Sequence, residues 1–301
     1  MKKIHILLLL VMMLWGFNLS ALKVLVVEID PFVLTAFRIF IAGITVLLIS
    51  KGMGIFRFPT RKEWSFIIYI GFFNVVLHHM FLALGLYSTS GVNAGLILGS
   101  GPLLTMMLSI LILKDVVTRL RVCGFFLGFA GILLTTLAGS DGLSTLSIGD
   151  GMVFISIFAQ AFSFILISKL NPTFDPRLLT GYMLVFGSVV LFVFSLFMNR
   201  PLVELEMLFS WKFGSVFLFS AVLCTAFGHM TYNYAIKQVG PVESTIFINL
   251  NTFFALVGAA IFLGEPIIKH QLIGLVLILA GVFIGSGSIE YIRNKRKIIR
   301  E

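Results

Sequence analysis

Residues 242–285 read VESTIFINLNTFFALVGAAIFLGEPIIKHQLIGLVLILAGVFIG. The stretch is an apolar helix ending at Leu263, a tight Gly264-Glu265-Pro266 turn, and a second apolar helix with Gly274 and Ala280-Gly281. The same layout stands earlier in the chain at one constant offset. Asp115 takes the place of Glu265, Gly124 that of Gly274, and Ala130-Gly131 that of Ala280-Gly281. The offset holds upstream, where His79-Met80 answers His229-Met230. A chain that repeats itself in this way reads as a duplication.

Working outward, the composition excludes a water-soluble domain. Apolar residues make up 59% of the chain, charged residues 12%, and Phe occurs 32 times; mean hydropathy is +1.08. Soluble domains carry about 25% charged residues. A membrane helix takes about 20 apolar residues, and ten such runs can be drawn, at roughly 4–22, 32–50, 65–87, 92–113, 119–138, 149–169, 178–198, 213–236, 242–263 and 267–287. The first, opening Met1-Lys2-Lys3, lacks a small-x-small cleavage site and reads as an uncleaved helix. The expected fold is an all-α integral membrane protein of ten transmembrane helices.

The net charge of +9 forms no nucleic-acid patch, because the basic residues sit in short gaps between apolar runs and in the tail. With the N-terminus placed in the cytoplasm, only Lys23, Arg200, Lys212 and Lys269 face outward; every other Lys and Arg except Arg38 falls in an inner segment. That bias puts both termini inside. Each half then holds five spans, an odd number, so the second half enters the membrane from the opposite side. The halves become inverted repeats, 1–138 and 148–287, joined by an outer linker at 139–147 and followed by a basic cytoplasmic tail at 288–301. Asp30-Pro31-x-x-Leu34-Thr35 and Asp175-Pro176-x-x-Leu179-Thr180 repeat the start of the second span in the seventh. Inverted repeats are a recurring plan of secondary transporters, with the substrate near the bilayer midplane.

Leu14-Trp15-Gly16 in the first span, Arg38 in the second, the Leu263-Gly264-Glu265 turn, and Gly274 with Ala280-Gly281 in the last span carry a family resemblance. The chain resembles the drug/metabolite transporter superfamily, in particular its ten-helix members with two tandem EamA repeats, over about residues 5–138 and 148–287. It departs from the pattern at Thr252, where the family often has Pro, and at Leu113-Lys114-Asp115, the first-half version of the Leu-Gly-Glu turn. The resemblance implies export of amino acids or other small metabolites, without ATP hydrolysis.

Polar groups inside spans mark the candidate site, since each is costly in hydrocarbon. Arg38 lies well inside the second span with no carboxylate at its depth; Glu243 and Asp150, the nearest acids, sit at span ends. It suits the carboxylate of an anionic or zwitterionic substrate, or else satisfies helix carbonyls and amides. With no deep Asp or Glu to relay protons, His79 and His229 become the candidate gating or proton-coupling pair, because imidazole titrates nearest neutral pH. His78 points about 100° away from His79. Asn74, Gln160, Asn249 and Asn251 fall near span centres, with Asn18, Ser100, Tyr232 and Asn233 within a few turns. Each amide suits a ligand or a helix–helix bond. Asn249 and Asn251 face different sides of one helix. Trp15 and Tyr87 are candidate walls.

The glycine pairs Gly95-x-x-x-Gly99, Gly124-x-x-x-Gly128 and Gly281-x-x-x-Gly285 read as close helix contacts, and no phosphate-binding loop is present. Cys123 and Cys224 lie in apolar runs with no metal-ligand spacing. No cofactor and no metal is expected; the partners are the bilayer and a small molecule. The leading reading is a secondary exporter of small polar metabolites that is not an enzyme. The alternatives are a membrane acyl- or lipid-transfer enzyme using an intramembrane His, and a passive channel.

Overall fold

A computed structural model describes residues 3–89, 94, 97–138, 147–171, 173–264, 267 and 269–286. The Glu265-Pro266 turn, Gly95, nearly all of the 139–147 linker, the 288–301 tail and the side chain of Tyr87 lie outside the described residues.

Helix starts follow from local chemistry. Helix α1 is Lys3–Leu25 and α2 is Pro31–Gly52, the latter capped by Asp30, whose carboxylate accepts from the Phe32 amide at 2.9 Å. Helix α3, Arg61–Gly71, opens on a Thr60/Glu63 capping box and continues through a π-helical turn, Phe72–Leu77, into α4, His78–Ser88. Helix α5, Gly101–Leu108, ends in a second π turn, Ser109–Leu113, closed by Lys114 in the left-handed region. Helix α6 is Arg119–Ala138.

The later elements repeat these devices. Helix α7, Ile148–Ser168, opens on a Ser147/Asp150 capping box, and α8, Pro176–Phe197, is capped by Asp175 as α2 is by Asp30. After a 3₁₀ segment, Val203–Phe209, helix α9, Trp211–Leu218, passes through a π segment, Phe219–Phe227, into α10, Gly228–Val239. Helix α11, Pro241–Thr245, is separated from α12, Asn249–Leu263, by a 3₁₀ turn at Ile246–Ile248. Helix α12 closes on left-handed Gly264, at the place Lys114 holds in the first half. Helix α13 is Lys269–Gly285.

All regular structure among the described residues is helical. Seven helical stretches are long and apolar enough to cross a membrane, and Ile97–Leu113 and Gln271–Gly285 are shorter apolar helices. The sequence reads the third, eighth and ninth spans as uninterrupted; the structure breaks them at 72–77, 219–227 and 246–248. Hydropathy is blind to such breaks, because a π or 3₁₀ turn changes the hydrogen-bond register and leaves the apolar composition as it was.

Packing is pairwise: α2 lies on α8, α6 on α13, α1 on α12, and α4 and α5 on α7. Small residues set the approach, as membrane helices require in the absence of a hydrophobic drive between them. A Cβ added to Gly281 would lie 2.4 Å from the Gly128 nitrogen, and one on Gly124 would lie 2.3 Å from the Gly285 nitrogen. The α6–α13 pair is therefore a glycine seam with backbone against backbone. Large apolar side chains such as Leu48, Phe126, Val276 and Phe283 point outward, as a surface bathed in acyl chains does.

Polar contacts collect at two ends. One end holds the Arg57–Glu63 pair, the bond from Tyr182 to the Arg57 carbonyl at 3.0 Å, that from Lys237 to the Ser168 carbonyl at 3.2 Å, and the His5–Glu243 contact at 2.7 Å. The other holds the Asp30 amide on Glu204 at 2.6 Å, the Arg200–Asp30 pair at 3.4 Å, and the Thr89 hydroxyl on Asp150.

Candidate functional site

Arg38 enters the interior from α2 and is 7% exposed. Its Nη1 donates to the Thr225 hydroxyl at 2.5 Å. Thr225 lies in the π segment 219–227, where its hydroxyl also donates to the Ser220 carbonyl at 2.8 Å, five residues back. The π register thus offers a hydroxyl to Arg38 while that hydroxyl serves its own backbone. The Arg38 Nε has no protein partner. The Arg38 charge therefore meets a neutral partner and, among the described residues, no carboxylate.

Around Arg38 the side chains come from both halves of the chain. His229, on α10, places Nδ1 3.1 Å from the Thr225 carbonyl oxygen. Its ring lies 5.0 Å from Trp15 of α1, and Trp15 lies 5.2 Å from Tyr232. The Trp15 indole donates to the Cys224 carbonyl at 2.8 Å, which pins the ring against the π segment. Phe164 of α7 closes the aromatic row at 5.2 Å from Tyr232, whose hydroxyl is buried with no partner. His79 is half-buried, 4.8 Å ring to ring from His78, and within electrostatic reach of Arg38 and His229.

His78, not His79, ties the helices. Its Nδ1 donates to the Ser156 hydroxyl at 2.9 Å while that hydroxyl donates to the His78 carbonyl at 2.7 Å. Its Nε2 then accepts from the Gln160 amide at 3.0 Å. This pattern requires the neutral Nδ1–H tautomer and consumes both nitrogens. Asn74, in the π turn 72–77, donates to Ser163 at 2.7 Å. Asn74, His78 and Gln160 are thus one hydrogen-bonded seam between the third span and α7, beside the Arg38 group.

The remaining candidates separate from this centre. Asn233 donates to the Thr180 hydroxyl at 2.9 Å and joins α10 to α8. Ser100 donates to its own helix at the Ile97 carbonyl. Asn249 sits beside Gly128 of the α6–α13 seam. Asn18, Asn249 and Asn251 each bury a side-chain oxygen with no protein partner. Sequence reasoning missed Thr225, Ser156, Ser163 and Phe164, since a lone hydroxyl or Phe in an apolar run carries no signal. It also passed over His5, which meets Glu243. Their common inner placement, one in the first turn of the first span and one at the start of the ninth, was the available clue.

A cavity of about 380 Å³ opens at the Arg57 end, lined by Ile55, Phe174, Asp175, Tyr234 and Lys237 among others. Burial raises the Asp175 carboxyl, but hydrogen bonds from the Arg177 side chain and amide outweigh it and leave the group below its ordinary value. Among the described residues no three His, Cys, Asp or Glu side chains gather into a metal-holding group.

A buried guanidinium, a row of aromatics and hydrogen-bonded seams from both halves of the chain meet inside a bundle of apolar helices. The model of the EamA-like transporter family matches residues 2–137 and again 147–286.

The chain belongs to the EamA-like transporter family.

The two matches are tandem copies of the EamA unit, in keeping with the drug/metabolite transporter superfamily. Relatives include a Bacillus subtilis (strain 168) protein named uncharacterized transporter YyaM, 32% identical over 83% of this chain and 82% of that one. An uncharacterized transporter of Archaeoglobus fulgidus is 25% identical over 94% of this chain and 97% of its own. The chloroplastic WAT1-related protein At3g02690 of Arabidopsis thaliana is 23% identical over 90% of this chain and 66% of its own. A crystal structure of another protein superposes with a TM-score of 0.76 at 16% identity, over 95% of this chain and 96% of that chain, and shares the fold. The EamA-family chain is a multi-pass membrane transporter and not an enzyme.

Proposed function

We propose that the protein is a secondary exporter of small polar metabolites that carry a carboxylate, amino acids among them. It works by alternating access around Arg38. The observation that carries this reading is the Arg38 group itself: a buried guanidinium with a neutral partner and an unpartnered Nε, walled by Trp15, Tyr232 and His229. A substrate carboxylate supplies the anion that the interior withholds, through the bidentate geometry that Arg offers.

The proposed architecture is ten spans in two inverted five-helix repeats, 1–138 and 148–287, with both termini in the cytoplasm of a cell membrane. The repeated devices support it. Asp30-Pro31 and Asp175-Pro176 cap α2 and α8 alike, Lys114 and Gly264 close α5 and α12 alike, and the third and eighth spans both carry π interruptions. The pairing of α1 with α12 is answered by that of α7 with α5, as a two-fold axis requires. The two ends of the bundle also gather the segments that the Lys and Arg count assigns to the two sides. His79 and His229 are the proposed proton-coupling pair, with Asn74 and Gln160 at the edge of the site and Asn18, Asn233, Asn249 and Asn251 as outlying candidates.

The test is counterflow with purified protein in liposomes, over a pool of amino acids and other carboxylates, with and without a pH gradient. Saturable counterflow of a carboxylate is the expected result. Flux that never saturates would point to a channel and end the carrier reading.

A further inference from the structure

A cluster of titratable side chains lies away from the Arg38 group. Glu243, on α11, is 9% exposed. Its Oε1 meets His5 Nε2 at 2.7 Å and its Oε2 meets Arg121 Nη2 at 3.4 Å. His5 is 6% exposed and stacks at 5.5 Å on Phe247, a residue of the 3₁₀ turn that follows α11. One carboxylate therefore ties the starts of three helices: α1 and α6 from the first repeat and α11 from the second. All three starts belong to the end that the charge bias assigns to the cytoplasm.

Placement sets this cluster apart from ordinary surface pairs. Helix α11 is five residues long and runs into α12 through the 3₁₀ turn Ile246–Ile248, so the change of hydrogen-bond register at that turn is where it can tilt. The Ser244 and Thr245 hydroxyls donate to the Gly240 and Pro241 carbonyls at 2.8 Å each, which holds α11 together as a unit. At the opposite end, the start of α7 is met by the neutral Thr89 hydroxyl on Asp150. A buried ion pair adds little net stability against an apolar replacement, but removing one partner strands a charge. Such a contact suits a two-state latch better than a general brace.

We propose that His5, Glu243 and Arg121 form the cytoplasmic latch of the transport cycle, closed in this structure, and that α11 swings on the 246–248 turn when it opens. The proposal rests on the carrier reading above. The latch joins one repeat to the other at one face, so it breaks whenever the central site opens to the cytoplasm.

Cys224 supplies a built-in reporter. It is fully buried, its carbonyl holds Trp15, and its neighbour Thr225 holds Arg38. In a Cys123→Ser background it is the sole thiol. The experiment measures alkylation of Cys224 by a membrane-impermeant maleimide in inside-out and right-side-out vesicles. Glu243→Gln is expected to raise the rate from the cytoplasmic face at least tenfold, with no rise from the external face. No change in a folded variant, or an equal rise at both faces, overturns the proposal. A second variant, His5→Cys with Glu243→Cys in a Cys123→Ser, Cys224→Ser background, is joined by a short bifunctional thiol reagent. The joined protein is expected to lose counterflow while the single-Cys controls keep it; counterflow through the joined protein overturns the latch. A wild-type chain silent in counterflow condemns the carrier reading, whereas an unresponsive Cys224 in an active chain condemns the latch alone.

Discussion

Replacing Arg38 by Ala is the sharpest test of where the substrate sits. Removing one partner of a buried ion pair strands the other charge and costs about 3–5 kcal/mol. Here the guanidinium has no acidic partner, and Thr225 keeps its bond to the Ser220 carbonyl after the change. The variant is therefore expected to insert and to keep its melting temperature within a few degrees. Transport is expected to fall steeply. A hydrogen bond to a charged group contributes about 1.5–3 kcal/mol, and each 1.4 kcal/mol is tenfold. Loss of the anchor thus predicts a drop of about 10–150-fold in kcat/KM for carboxylate counterflow. Arg38→Lys keeps the charge and loses the planar fork, and is expected to fall between Ala and wild type. The assay is initial-rate counterflow in liposomes at matched protein density. Folded Arg38→Ala protein with wild-type kcat/KM refutes the anchor, and an unfolded variant refutes the claim that Arg38 has no structural burden.

The glycine seam predicts that Gly281→Val, whose Cβ would meet the Gly128 backbone at 2.4 Å, destabilises by at least about 1–3 kcal/mol in detergent unfolding. Gly151→Ala, with nothing within 4 Å, is expected to be neutral or stabilising by up to about 1 kcal/mol in the same measurement. Lys114 holds φ 58 where the second half has Gly264 at φ 70. Lys114→Gly should therefore raise stability by about 1 kcal/mol, and Gly264→Ala should lower it by a similar amount, both read from unfolding midpoints. His78→Ala leaves Gln160 and Ser156 short of a partner and should cost about 1–3 kcal/mol. His79→Ala should unfold as wild type does and change the pH dependence of counterflow.

Hydrophobic runs, turn residues and the constant offset between the halves were enough to read an all-helical membrane bundle and its duplication, because bilayer thickness and helix capping act locally. Arg38, His79 and His229 stand out in the sequence for a related reason: a charge or imidazole in an apolar run is conspicuous whatever it touches. The interruptions at 72–77, 219–227 and 246–248 were not legible. They arise from backbone register, and no residue type announces a π turn as Pro announces a kink. The roles of His78 and His79 were beyond sequence for another reason. Adjacent residues on one helix face different neighbours, and only the position of α7 decides that His78 finds Ser156 and Gln160. Thr225 was hidden because its importance comes from Arg38, a residue on another helix in the other repeat.

The duplicated frame does not carry a duplicated site. Met183 stands as far beyond Asp175 as Arg38 stands beyond Asp30, and Val75 occupies, at the offset of the two His-Met pairs, the place of Thr225. Where Arg38 and Thr225, one from each repeat, make a guanidinium held by a hydroxyl, the corresponding pair Met183 and Val75 therefore offers a thioether and an isopropyl group. Val75 is packed so tightly on α8 that a Cβ at Gly187 would lie 2.5 Å from it. The symmetric features are those that move or cap helices: the paired Asp-Pro starts, the left-handed ends and the π interruptions. On the proposed function, the asymmetric features are those that would touch a solute. This division follows from what each has to do. Exchange of conformation between inverted repeats needs two halves that bend alike, whereas a small carboxylate needs one anchor and one apolar wall, since a second guanidinium facing the first would repel it across a dry interior. Duplication supplies the paired caps and π interruptions, and divergence of single residues such as Met183 and Val75 leaves, on the proposed function, one charge for the cargo.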